Sequence, residues 1–161
     1  MELRTARLDD SEAIRAIYNV EVLGETVTFD LVPRSAEEQL DWMVSHGGAY
    51  PVVVAEDAGA VVGFASLSPY RPRPAYSTTV EDSVYVAGGM RGKGVGKALL
   101  TEIVTRAETH GFHCVIARIV GHHETSIGLH TACGFEPIGI EREVGRKFGR
   151  WLDVAVMQRL L

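Results

Sequence analysis

The apolar positions change period along the chain, and the changes divide it into elements. Residues 3–7 alternate apolar and polar side chains, which predicts a first strand. Asp9 followed by Glu12 predicts a capping box, and Ile14, Ile17 and Tyr18 continue at helical spacing to about Val22. Residues 24–33, with Phe29 among them, read as a loop or short extended piece. Ser35 and Glu38 form a second capping box ahead of an apolar stripe, Leu40 and Met43, that stops near Gly47 and Gly48. Two β-branched runs, 51–56 and 60–68, flank Asp57-Ala58-Gly59 and predict a hairpin.

A Pro/Arg-rich loop at 69–74 leads into a strand at 78–86. Val95, Leu99, Ile103 and Ala107 recur every four residues, marking a long helix that closes at Gly111. A buried-type strand at 114–120 and a short helix at 125–133, stopped by Gly134, follow. The last strands, 135–144 and 151–160, are joined by a Gly-rich turn at 145–150. The order β α α β β β α β α β β mixes hairpins with β-α-β crossovers. It implies an α/β fold with one mixed sheet and helices on both faces. No repeat or linker interrupts it, so residues 1–161 are expected to form a single domain.

Composition narrows the function classes. With 46% hydrophobic residues, a chain of this length builds its core without disulfides or a structural metal. A net charge of -5 argues against nonspecific nucleic-acid binding. The longest uncharged apolar stretch, 50–55, is too short for a bilayer, and the charged first ten residues lack a signal core. A soluble cytoplasmic protein with no membrane partner is expected. Cys114 and Cys133 make neither a disulfide framework nor a zinc pair; they read as reduced, buried thiols, with a catalytic thiol as the alternative. The six histidines offer no three-ligand set, so no metal is expected.

The most informative segment is Arg91-Gly92-Lys93-Gly94-Val95-Gly96-Lys97, after a strand and at the start of a helix. Glycines let the backbone approach an anion, and the free N–H groups of a first helical turn point at it. Arg91, Lys93 and Lys97 add positive charge suited to a pyrophosphate. The spacing excludes a Walker loop, which ends in Gly-Lys-Ser/Thr, and matches the dinucleotide fingerprint poorly. A solvated Gly/Lys turn is the plain alternative.

The run Arg91-Gly92-Lys93-Gly94-Val95-Gly96, after Ser83-Val84-Tyr85-Val86, resembles the pyrophosphate loop of the GNAT acetyltransferase superfamily. The resemblance extends over nearly the whole chain. Ile17-Tyr18-Asn19, Tyr50-Pro51-Val52, 79–86, 126–130 and 145–153 are similar to the group acting on phosphinothricin, methionine sulfoximine and methionine sulfone. The last two pieces are the most specific. The resemblance implies a mostly antiparallel mixed sheet, acetyl-CoA as cosubstrate, a small-molecule amine acceptor, direct transfer in a ternary complex and a homodimer.

Acetyl transfer needs a proton acceptor for the ammonium, a hole for the oxyanion and help for the departing thiolate. Glu81 lies mid-strand on the face of Thr79, Ser83 and Tyr85, where a carboxylate is costly unless used, paired or watered. The resemblance points to the same residue as base, directly or through water. A salt-bridged or rim glutamate is the alternative. Asp82 falls on the other face and stands where relatives often carry His. Backbone near Val84, Tyr85 and Val86 would hold the pantetheine and the oxyanion, a strand bulge freeing the donor. His123, Ser126 and His130 share a helix face. His130 would be a thiolate acid or coenzyme contact, or a plain packing histidine, and His123 stands where Asn is usual. Phe29, Arg71, Arg73, Tyr76 and Thr79 would line the acceptor pocket with Glu81, the arginines clamping a carboxylate. Tyr70 stands where Trp is usual, and Lys147, Phe148 and Trp151 would complete the pocket near a dimer interface. Other amines (a polyamine, an aminoglycoside or a protein N-terminus) and a noncatalytic acyl-CoA-binding domain remain as alternatives.

Overall fold

In the computed structural model, which describes residues 1–161, the chain runs β1 (Glu2–Thr5), α1 (Ser11–Gly24), α2 (Ala36–Ser45), β2 (Val52–Asp57), β3 (Ala60–Pro69) and β4 (Thr79–Val86). It continues through α3 (Val95–His110), β5 (Cys114–Val120), α4 (Glu124–Ala132), β6 (Glu136–Lys147) and β7 (Arg150–Leu160). This is the element order that the hydrophobic pattern predicts. The strands form one sheet in the order β1-β2-β3-β4-β5-β7-β6. Only β4 and β5 pair in parallel; every other pair is antiparallel.

Strand alternation supplies each face with its own partner. On one face Val52, Val54 and Phe64 meet Ile14, Tyr18 and Val22 of α1 and Met43 of α2. On the other, Val53, Ala55, Ala65, Leu67, Val80 and Val115 meet the α3 stripe of Leu99, Leu100, Ile103 and Ala107. Burying a Leu or Ile in this layer contributes roughly 1.5–3 kcal/mol each. Cys114 and Cys133 are buried and form no disulfide.

Three local expectations are corrected. The first helix is not capped by an Asp9–Glu12 box. Asp10 accepts the Arg7 N–H at 2.7 Å, held by the Arg4 guanidinium at 2.7 and 2.9 Å, while Glu12 turns out to Arg15. Leu40 is 45% exposed, and the fully buried residue beside it is Gln39. Its Oε1 accepts from Arg34 Nη1 at 3.2 Å while its Nε2 is buried without a partner, and it lies one turn before the buried Met43 on the inward face of α2. The turn between β6 and β7 is only Phe148-Gly149, both left-handed at φ 51° and 71°, so the strands run through most of 145–150. The Ser35–Glu38 box forms as expected, at 2.8 and 3.1 Å.

One irregularity positions the site. β4 and β5 are in register only over Thr79–Glu81 and Cys114–Ile116. Beyond that point they part, while β3 still holds β4 and β7 still holds β5 to their ends. The sheet therefore splits at its centre, with unpaired backbone edges on both sides of the gap.

Candidate active site

The split opens into a cleft of about 470 Å³. Its walls come from both faces of the sheet: Ser83, Tyr85 and Arg118 on the α1 side, Asp82, Val84, Val86, Ala117 and Ile119 on the α3 side. The β3–β4 register is continuous from Gly63/Val86 to Pro69/Val80, so β4 carries no bulge. Parting from β5, rather than the expected bulge, leaves the backbone donors of Val84 and Val86 facing the cleft, while Tyr85, like Ala87, turns its N–H to β3. Tyr85 turns its ring away, edge-on to Tyr18 at 5.1 Å and stacked on Phe64 at 5.2 Å.

At the cleft mouth, α3 begins with Gly94 at φ 82°, ψ -3°. A side chain there would be strained. The first intrahelical bond is Ala98 N–H to Gly94 O, 3.0 Å, so the N–H groups of Val95, Gly96 and Lys97 are free for an anion. Arg91, Gly92, Gly94, Gly96 and Lys97 line the cleft. Lys93 and Val95 do not: Lys93 is exposed, and the Val95 side chain is buried in the core. Arg91 is held by Glu21, a buried α1 residue that also lines the cleft, and donates to Val86 O at 3.3 Å. Glu21 was missed; its signal is a carboxylate at the apolar-stripe position three residues after Tyr18.

The opposite wall is α4. His123 is its N-cap, with Nδ1 accepting the Ser126 N–H at 3.2 Å, which leaves Nε2–H free to donate. Ser126 and His130 line the cleft one turn apart. His130 Nδ1 donates to the Ser126 carbonyl at 2.7 Å, and Nε2 lies 3.0 Å from Asp82 Oδ2. Strand alternation puts Asp82 opposite Glu81 but does not reveal its partner on α4, and this pair was also missed.

Glu81 sits on the other face of β4, partly buried. Burial raises its carboxyl above the ordinary value; Asp82 and Glu141 add to the rise, and Arg118 and Arg71 oppose it. Arg118 is itself paired with Glu141 of β6.

Phe29 lies across this side with its ring on Gly145, where an added Cβ would come within 2.2 Å of the ring. Any side chain at 145 displaces that ring. Lys147 is buried and donates to the Thr28 carbonyl at 2.9 Å, tying β6 to the same loop. Arg71 and Arg73 are exposed; the Arg71 guanidinium lies 5.0 Å from the Tyr70 ring and 6.0 Å from the Tyr76 ring. Thr79 is half-buried at the start of β4. Phe29, Arg71, Arg73, Tyr76, Thr79 and Glu81 all lie outside the lining of the main cleft. Phe148 and Trp151 are 56% and 61% exposed, so neither is a core aromatic.

Comparison with known proteins identifies the family and the fold. Residues 3–156 match the Acetyltransferase (GNAT) domain family. The chain is 41% identical over 158 residues to an L-methionine sulfoximine/L-methionine sulfone acetyltransferase from Pseudomonas paraeruginosa, covering 97% of this chain and 92% of that one. A phosphinothricin acetyltransferase from Sinorhizobium meliloti, solved with acetyl-CoA, superposes with a TM-score of 0.96 at 46% identity, over 99% and 88% of the two chains. A ribosomal-protein-alanine N-acetyltransferase from Brucella melitensis superposes at 0.98 with 39% identity over the full length of both.

Proposed function

Because the chain belongs to the GNAT acetyltransferase family, an acetyl-CoA-dependent N-acetyltransferase family, we propose that it acetylates the α-amine of a small amino-acid-like acceptor. Methionine sulfoximine, methionine sulfone and phosphinothricin define the acceptor type. The observation that carries this reading is the cleft through the split sheet, lined by the free-amide start of α3, with Glu81 just outside it at the last β4 residue paired with β5 before the strands part. The free amides of Val95, Gly96 and Lys97, with Lys97 and Arg91, suit the diphosphate of the coenzyme. The β4 edge suits the pantetheine amides and the oxyanion, and His123 Nε2–H supplies one more donor. In this mechanism Glu81 takes a proton from the ammonium, directly or through one water, and the amine attacks the thioester carbonyl. His130 delivers a proton to the departing sulfur.

Arg71 and Arg73 would hold the acceptor carboxylate, with Phe29, Tyr76 and Thr79 around its side chain. The -5 charge would suit cationic acceptors, but the paired arginines do not. A panel of methionine sulfoximine, methionine sulfone, phosphinothricin, spermidine and a short peptide, each with acetyl-CoA, tests this by release of free thiol. The first three are expected to be turned over at the highest kcat/KM. Preference for the peptide would favour a protein acceptor, as the Brucella protein's name describes, and binding without turnover on any amine would make the chain an acyl-CoA-binding domain.

The reading includes a homodimer in the cytoplasm, where acetyl-CoA is available and thiols such as Cys114 and Cys133 stay reduced. Its support is the edge strand β6, which leaves Ile138, Ile140 and Val144 more than half exposed beside Phe148 and Trp151. Sedimentation is expected to give twice the 17.5 kDa chain mass, and a monomer at assay concentration would contradict it.

A further inference from the structure

The hydrogen bonds around His130 fix its proton count. The Ser126 carbonyl can only accept, so Nδ1, 2.7 Å away, carries a proton. Nε2 lies 3.0 Å from Asp82 Oδ2, and a bond at that distance needs one proton between them. On nitrogen it makes an imidazolium–carboxylate pair; on oxygen, a neutral pair. In both cases the pair stores one proton beyond that on Nδ1. Losing it would set a lone pair against a carboxylate where the His130 and Asp82 side chains are only 5% and 1% exposed. Asp82 Oδ1 is buried without a partner, so His130 alone stabilises this carboxylate.

The surroundings isolate the pair. Asp82 is the one charged group acting on His130; α4 offers the Ser126 carbonyl, and the Phe135 ring stands edge-on at 5.0 Å. Arg118 of β5, Glu141 of β6 and Arg71 act instead on Glu81, on the opposite face of β4. Burial alone would push His130 down, but the Asp82 hydrogen bond and charge and the Ser126 carbonyl outweigh it and hold the imidazole above its ordinary value.

We propose that Asp82 is a positioning residue that keeps a transferable proton on His130, on the α3 side of the split, for delivery to the departing sulfur. This rests on the acetyl-transfer reading above. The acceptor ammonium gives up two protons. The first leaves through Glu81 to solvent. As the C–N bond forms and the C–S bond breaks, the bonding pair stays on sulfur, which takes the proton of the Asp82–His130 pair. The second nitrogen proton also leaves to solvent and the pair regains one proton from solvent, so each turnover discharges one proton net.

The test is Asp82→Asn, whose amide can donate to a neutral Nε2 while Nδ1 stays on Ser126. NMR titration of the coenzyme-free protein reads the pair without turnover. The wild-type ring is expected to lose its proton above the ordinary histidine value of about 6.5, and the variant's ring below it. Stability supplies a second readout. Because the folded-state value is raised, the pair's contribution is fully present below about pH 6.5 and is lost as pH rises through that folded-state value. The wild type's advantage in Tm is therefore expected to shrink as pH rises above about 6.5. In turnover, kcat with acetyl-CoA should fall about 10²-fold at alkaline pH, and a donor with a more acidic thiol should recover most of the loss. An unchanged His130 titration in the variant overturns the proposal, whatever acceptor the protein prefers. An equal kcat loss with both donors overturns delivery to sulfur. If Asp82→Asn does not fold, Asp82→Ser undergoes the same measurements with the same expected directions.

Discussion

Replacing Glu81 with Gln should lower kcat/KM about 10²-fold or more at neutral pH while leaving acetyl-CoA binding unchanged. The amide matches the carboxylate in shape but cannot take a proton from the ammonium. The environment of Glu81 sharpens the expectation. Burial, with Asp82 and Glu141 nearby, lifts its carboxyl toward working pH, where a base is most effective. The wild-type kcat/KM should therefore lose activity as pH falls through a value above the ordinary 4.5 for Glu, and the variant should lack that limb. Stability moves the other way. A raised carboxyl value means that the folded state favours the protonated form, so ionised Glu81 weakens folding as pH rises through that value. Glu81→Gln should melt at or above the wild-type temperature at neutral pH. Full activity across the pH range would remove Glu81 from the mechanism; lost activity with a lower Tm would point to misfolding.

The second large effect belongs to the helix start. Gly94→Val places a β-branched residue at φ 82°, a conformation that costs on the order of 1–3 kcal/mol for a residue other than glycine. The loop relieves that strain by rotating, which turns the amides of Val95, Gly96 and Lys97 away from the cleft. A hydrogen bond to a charged group contributes roughly 1.5–3 kcal/mol, so losing one or two should raise the Kd for acetyl-CoA about 10²-fold. Calorimetry on wild type and variant reads this directly, and the helical circular dichroism should be preserved because the α3 stripe is untouched. The loss should depend on salt only weakly, because Arg91 and Lys97 remain. A Kd within about twofold of wild type would mean that the diphosphate is not held by these amides.

Local chemistry accounts for most of what is legible in the chain. The α3 stripe, the Ser35 cap, the β2–β3 hairpin and the turn glycine at Gly94 each depend on residues a few positions apart. Periodicity and capping read them directly. Alternation in β4 is equally local, so the opposite faces of Glu81 and Asp82 are visible without coordinates. Leu40 shows the limit. Apolar character predicted burial, yet the face of α2 that turns inward is that of Gln39 and Met43.

Long-range packing decided the rest. No window of sequence contains both Asp82 and His130, or both Glu21 and Arg91, or Phe29 and Gly145. Each pair forms only when separate elements dock, and docking is settled by the whole core at once. The same holds for the parting of β4 and β5. Both strands read as ordinary strands from end to end, yet their pairing stops at Glu81 and Ile116, with α3 and α4 packed on one face and α1 on the other. The sequence by itself determined the elements, the glycine-rich start of α3 and the faces of β4, because backbone geometry and side-chain period act over one or two turns. Only the tertiary structure decided where the sheet splits, which carboxylate stands free and which is bound to a histidine. Those depend on contacts between residues far apart in the chain, and such contacts leave no periodic trace.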